Sequence, residues 1–362
     1  MTRKLYAFLA LALTALVPAT ARADLPTGFV GISPQGVTRA TDYRLMGDAG
    51  MTSVRLPLFW SSVQPVSPRT AAANWTSFDG AVELAAEARL RVFPFFYGSP
   101  SWVASEGRAL PVRSARQRRA WANFVRAAVR RYGAGGTFWA THPELPYLPF
   151  RRWEIWNESN IVSFMRNPDP TSYARLLRIA GRTLHREDPD AEVLVGGLFG
   201  RPLQIPPNVA SGAFLAGIYR AGRVKRFFDG VALHPYVADV RGMTGQLRNL
   251  RRIMRRHGDA RTPIYLTELG WGSRGGPTRW ERGLYGQANQ LSRAFRLVSR
   301  HRRGWRLGGV WWFTWSDEGG TCQFCSSAGL LTAEREAKPS WYRFVAWTGG
   351  DPDVVPRARL GD

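Results

Sequence analysis

The chain has 362 residues and a formal charge of +23, from 50 Lys and Arg against 27 Asp and Glu, and only two cysteines. That length accommodates one large barrel or two ordinary domains with a core that needs no disulfide staples, and two cysteines are too few for a four-ligand zinc site. The charge is nearly all arginine, because lysine occurs only at positions 4, 225 and 338. Arginine runs such as Arg116-Gln117-Arg118-Arg119, Arg251-Arg252 with Arg255-Arg256, and Arg300 to Arg303 fall on helical patterns along the whole chain. Such scatter fits solvated helix faces better than one nucleic-acid stripe. No specific nucleic acid partner is expected, while attraction to anionic polymers remains compatible with it.

Met1-Thr2-Arg3-Lys4 is a basic start, Leu5 to Val17 is apolar, and Ala21-Arg22-Ala23 fits a small-x-small cleavage site. The apolar run is short for a membrane span, so a secretory signal over 1–23 is expected, with a secreted mature chain from Asp24. No later segment is apolar and long enough to span a bilayer.

From there short apolar runs alternate with longer amphipathic ones. Strands are expected at Gly28–Ser33, Thr52–Leu58, Arg91–Tyr97, Arg152–Asn157, Ala191–Gly197, Phe228–His234, Pro263–Glu268 and Leu307–Trp315. Helices are expected near Thr38–Ala49, Phe78–Ala88, Ala115–Tyr132, Ser172–Glu187, Ala210–Ala221, Thr244–Arg256, Arg279–Arg300 and Pro339–Trp347. Eight strictly alternating units, with strands apolar on both faces, predict an α/β fold: a single (β/α)8 TIM barrel over 24–348. Long loops, Gly98–Arg113 and Ser316–Leu331, follow strands 3 and 8 at the catalytic face, while Gly133–Pro149 precedes strand 4 on the opposite face. The tail 349–362 reads as loosely held.

Two of the eight runs end in a carboxylate. Trp153-Glu154-Ile155-Trp156-Asn157-Glu158 closes unit 4, and Tyr265-Leu266-Thr267-Glu268 closes unit 7. At the strand ends of a closed barrel Glu158 and Glu268 face each other across the mouth, the equipment for glycosidic cleavage by a general acid and a nucleophile. Asn157 is suited to donate its amide to the substrate hydroxyl beside the reacting carbon. Trp60, Tyr97, Trp102, Trp271 and Trp280 all fall just beyond strand ends, where flat rings suit the C–H faces of sugars. Core packing is the plain alternative for each.

Trp156-Asn157-Glu158 and Thr267-Glu268-Leu269-Gly270 resemble clan A of the glycoside hydrolases, with families 5 and 39 nearest. The resemblance runs over nearly all of the mature chain. It implies a retaining β-glycosidase with Glu158 as acid/base and Glu268 as nucleophile, acting on a poly- or oligosaccharide without a cofactor or metal. It further implies that Arg55, in Val54-Arg55-Leu56, supports the nucleophile, and that Tyr236, in His234-Pro235-Tyr236, touches it. Trp315, in Trp315-Ser316, would floor the sugar site. Strand alternation puts Trp311, Phe313 and Trp315 on one face and Trp312 on the other. The run Phe95-Phe96-Tyr97-Gly98 departs from family 5, whose members often carry histidine there.

Each supporting residue also has a structural reading: Arg55 as a buried ion-pair partner, His234 as an inert core histidine, Trp315 as packing. Asp317 and Glu318 either bind sugar hydroxyls or dress a loop. Cys322 and Cys325 are expected to form a local disulfide bracing the loop after the last strand, because an exported chain meets an oxidising compartment. Gly133-Ala134-Gly135-Gly136 does not follow a strand and is a poor phosphate loop. The rival to the enzyme reading is a catalytically inactive carbohydrate- or envelope-binding barrel.

Overall fold

The computed structural model of the protein describes residues 25–36, 38–201, 205–276, 278–320 and 322–357. The expected signal segment lies outside them. Eight strands alternate with helices in the order β1 (Val30–Ile32), α1 (Ala40–Asp48), β2 (Ser53–Phe59), α2 (Trp60–Val63), α3 (Thr76–Glu87), β3 (Arg91–Tyr97), α4 (Ala115–Tyr132), α5 (Thr137–Thr141) and β4 (Arg152–Ile155). There follow α6 (Pro170–Glu187), β5 (Glu192–Phe199), α7 (Ser211–Arg220), β6 (Gly230–His234), α8 (Val240–Arg256), β7 (Ile264–Leu269), α9 (Leu284–His301), β8 (Leu307–Trp312) and α10 (Pro339–Thr348). All strands pair parallel in sequence order, and β8 closes on β1 through Val30–Val310 and Ile32–Trp312. The sequence-derived barrel is the observed fold.

The strands are buried on both faces because helices cover the outside and side chains fill the inside. Phe93, Leu194, Tyr265 and Trp311 form one interior layer. Trp311 is too wide for the barrel unless a neighbour yields; a Cβ at Gly31 on β1 would overlap its indole, so β1 carries glycine there. The larger core lies between strands and helices, where amphipathic α4 and α6 bury Trp121, Phe124, Leu176 and Leu177. Helix starts are fixed locally: Ser114 and Gln117 form a capping box on α4, and Asp169 accepts from the amides of Thr171 and Ser172 ahead of α6.

Three expectations need correction. Strand 4 stops at Ile155 and strand 8 at Trp312, both short of the sequence-derived ends. At β4 the reason is backbone geometry, since Trp156 and Glu158 take positive φ of 71° and 39° and leave the extended path. The tail is held as far as residue 357: Val355 is buried, the Pro352 carbonyl accepts from the Trp341 indole at 2.7 Å, and that of Pro356 from the Ala337 amide. The glycines at 133–136 terminate α4, and the insert after them carries α5 at the end of the barrel where strands begin. Among the described residues no helix is long and apolar enough to cross a membrane.

Candidate active site

The site grows from one buried cation. Arg55 on β2 is 1% exposed, and inside a barrel such a charge needs carboxylates and complete hydrogen bonding. Its Nε and Nη2 make a two-pronged contact with Glu154 on β4, both at 2.9 Å. Nη1 donates to Glu268 Oε1 at 2.7 Å and to Ser33 Oγ at 3.3 Å, and Nη2 to Asn157 Oδ1 at 2.8 Å. The guanidinium also lies 4.0 Å over the ring of Phe95. Glu154 went unremarked in the sequence, although a glutamate between Trp153 and Ile155 in a buried strand is itself a signal that an internal cation awaits it.

Strand 4 ends in the turn that aims Glu158. Its positive φ, uncommon outside glycine, typically costs on the order of 1–3 kcal/mol and marks functional positions. The turn is held by the Glu158 amide donating to Gly197 O at 2.9 Å. Asn160, two residues on, exchanges hydrogen bonds with both backbone groups of Phe199 and donates to Val209 O. These bonds join the end of β4 to the end of β5.

Glu158 Oε1 lies 2.7 Å from His234 Nδ1, and His234 Nε2 lies 3.0 Å from Thr267 Oγ1. The imidazole fits because β5 has glycine beside it; a Cβ at Gly197 would overlap the ring. Tyr236 donates its hydroxyl to Glu268 Oε2 at 2.5 Å, and His234 Nδ1 is 3.4 Å from that oxygen. Oxygens of Glu158 and Glu268 and a nitrogen of His234 all lie within 4.8 Å of one another. Among the described residues this is the one His/Cys/Asp/Glu cluster close enough to share a metal ion, yet Arg55, Tyr236 and the Glu158–His234 contact already engage its donors.

Charge counting separates the two glutamates. One guanidinium faces three carboxyl groups, so one proton is retained cheaply. Burial and the neighbouring charge of Glu268 hold Glu158 well above the usual carboxylate range. Burial also raises Glu268, but Arg55 and the Tyr236 hydroxyl pull it back. Burial, then Arg55, pushes His234 well below its ordinary value, so the ring is neutral. Tyr236 is pushed up by burial and both glutamates, and stays a donor.

Arg55, Asn157, Glu158, Tyr236 and Glu268 line a cleft of about 760 Å³, with His234 buried beneath them. Tyr97 and Phe59 stand edge to face at 6.1 Å on one wall, and Tyr97 meets Phe164 at 5.7 Å. Phe199, Phe313 and Phe324 line the other side, packed around Tyr236. Cys322 and Cys325 are joined as a disulfide, and both line the cleft. The loop they brace carries Phe324, which packs on Tyr236 at 5.1 Å.

Arg55, Asn157, Glu158, His234, Tyr236 and Glu268 are thus brought together, with Tyr97 on the wall. Five expected sugar contacts are not: Trp102 donates its indole to Gln64 O, Trp280 is buried beside Phe324, and the other three lie in the core. Trp60 is fully buried against Trp121 and Phe124, because α2 turns it under α4. Trp271 is fully buried outside the barrel, its indole donating to Val237 O. Trp315 is 2% exposed, donates to Asp42 and packs on Trp341. Strand alternation no longer governs position 315 once β8 has ended, and Phe313, joined to Thr314 by a cis peptide, occupies the cleft instead. Asp317 and Glu318 pair with Lys338 and Arg335.

Neither a protein-family model nor a curated protein sequence matches the chain. In fold it is similar to a family 39 glycoside hydrolase from the gut symbiont Bacteroides cellulosilyticus WH2, at 21% identity and TM-score 0.65, over 91% of this chain and 65% of that one. It is similar also to a monomeric beta-xylosidase from Caulobacter crescentus CB15, at 19% identity and TM-score 0.60, over 88% and 67%. Xylanase 10B from Thermotoga petrophila RKU-1 matches at 14% identity and TM-score 0.59, over 90% and 95%. What the chain shares with these structures is the eight-stranded parallel barrel. The chain spans less than two thirds of the length of the first of these structures.

Proposed function

We propose that the protein is a retaining β-glycosidase, exported by its first 23 residues, that cleaves O-glycosidic bonds of a poly- or oligosaccharide by double displacement. The observation that carries this reading is the unequal pair of carboxyls. Oxygens of Glu158 and Glu268 lie within 4.8 Å, in keeping with the roughly 5–5.5 Å between the groups in retaining enzymes and short of the gap that an inverting enzyme leaves for water. Of this pair only Glu268 touches Arg55, so it is the carboxylate and Glu158 the acid.

Neutral His234 has one ring N–H. With Thr267 donating to Nε2, Nδ1–H donates to Glu158 Oε1, and the acidic proton sits on Oε2, ready for the leaving oxygen. Glu268 then attacks the anomeric carbon to give a glycosyl-enzyme. Tyr236 and Arg55 release their hold on its oxygens as the charge is used up. Glu158, now ionised, takes a proton from the water that cleaves the intermediate. Because Arg55 occupies Asn157 Oδ1, the Asn157 amide N–H groups are left to donate toward a sugar hydroxyl.

The test is stereochemical. Proton NMR of sugar released from a panel of polysaccharides and aryl glycosides should show the β-anomer first. Glu158→Ala should lose about 10²–10⁴ in rate on unactivated glycosides and far less on aryl glycosides with good leaving groups. Initial release of the α-anomer would overturn the nucleophile assignment. Carbohydrate binding with no turnover on any substrate would favour the inactive barrel.

A further inference from the structure

A second cavity, of about 570 Å³, opens beside the catalytic cleft on the same face of the barrel. Its walls are the segments just beyond β5, β6 and β7, which contribute Gly200 and Arg201, Val237 to Asp239, and Arg279, with the first turns of α7 and α8 behind them. Phe199 and Tyr236, with rings 5.6 Å apart, form the ridge between the two spaces. Tyr236 lines both, and its hydroxyl is the one that holds Glu268. The two spaces therefore share Tyr236 as a wall, and a chain molecule held in the cleft lies beside the second cavity.

The chemistry of that cavity is basic. Arg201 and Arg279 both reach it from exposed positions, and neither makes an ion pair among the described residues. Arg279 lies 4.7 Å over the ring of Trp280, which orients the guanidinium without neutralising it. The one acid in the wall, Asp239, is engaged in capping α8 by accepting from the Gly242 amide. Gln246 and Asn249 add amide groups. The hollow of about 550 Å³ on the other flank is less basic: of the three arginines that line it, Arg108 and Arg166 both pair with Glu106, which leaves Arg113.

We propose that this cavity is a subsite for an acidic unit, bearing a carboxylate or sulfate, of the same glycan whose bond is cleaved beside it. The proposal rests on the glycosidase reading and narrows its substrate to anionic glycans. Planar guanidinium forks suit both groups.

Binding is to be measured by calorimetry on the full chain carrying Glu268→Gln, at fixed ionic strength. The acidic probes are oligogalacturonate, glucuronate-substituted xylo-oligosaccharides and heparin-derived oligosaccharides; the neutral ones are xylo-, manno- and cello-oligosaccharides. At least one acidic probe should bind about tenfold or more tightly than every neutral one, and Arg201→Gln with Arg279→Gln should remove that margin. Arg300→Gln with Arg303→Gln, the same charge change at the far end of the barrel, should leave it intact. A response to uronate probes alone or to sulfated probes alone identifies the group bound. Absence of any acidic preference overturns the proposal, and so does equal weakening by the two double variants, because bulk charge would then be sufficient. Hydrolysis of aryl glycosides by the unmutated enzyme reports separately on the glycosidase reading. Turnover without acidic preference rejects the subsite alone, whereas acidic preference without turnover rejects the enzyme and leaves an anionic-glycan site.

Discussion

Two arginines on barrel strands, both paired with glutamate, have opposite consequences. Where the strands begin, Arg152 donates to Glu192 at 2.6 Å and Tyr265 donates to the same carboxylate at 3.0 Å. That pair is one to one, and its side chains are 33% and 40% exposed. Where the strands finish, Arg55 is almost wholly buried and faces Glu154 and Glu268, with Glu158 beyond. Water answers any surplus charge at the first end. At the second a surplus must be answered by a proton, and it falls on Glu158 because Arg55 is already committed to the other two. The difference lies in stoichiometry and burial, since the residue types are the same.

The contrast can be broken most sharply at Glu268. Glu268→Gln should preserve the fold and reduce kcat/KM on the order of 10⁴-fold or more; a rate within tenfold of the parent would move the nucleophile elsewhere. Arg55→Met strands carboxylates without their cation and should cost roughly 3–5 kcal/mol in denaturant unfolding. A loss under about 1 kcal/mol would mean that water already reaches that end.

A finer test uses pH. The Glu158 carboxyl is raised in the folded chain, so the proton it retains contributes stability that is fully present below the unfolded value of about 4.3 and is lost as pH rises through the folded value. Glu158→Gln cannot ionise. Its melting temperature relative to the parent should therefore climb by a few degrees between about pH 4 and pH 8. A flat difference would show that Glu158 is ionised at no cost. The smallest effect belongs to the other end of the barrel: Arg152→Met should change stability by only about 0–1 kcal/mol, and a loss matching that of Arg55→Met would erase the distinction.

Much of this was legible in the chain. The βα period gave eight units in order, and Glu158 and Glu268 stood out because a carboxylate closing an apolar strand has no reason to be there unless it faces solvent or substrate. Arg55, His234 and Tyr236 followed from the resemblance of Val54-Arg55-Leu56 and His234-Pro235-Tyr236 to clan A motifs. Glu154 was equally visible, a charge flanked by Trp153 and Ile155, but single-residue patterns do not say which cation will meet it. The tryptophans misled for a related reason. Trp60, Trp271 and Trp315 lie just past strands, where alternation has lapsed, and only the path of the following turn decides between cleft and core. The cleft went instead to phenylalanines such as Phe313 and Phe324, which carry no polar handle by which a sequence could announce them.

Periodicity is a local property, set by the geometry of successive residues, so the chain by itself determined the barrel and the strand ends that carry the two carboxyls. Protonation is not local. It depends on the distances among Arg55, Glu154, Glu158 and Glu268, which lie up to 213 residues apart and meet only when β8 closes on β1. Tertiary structure alone therefore decided which carboxyl is raised the further, because only closure of the barrel excludes the water that would otherwise make the two alike.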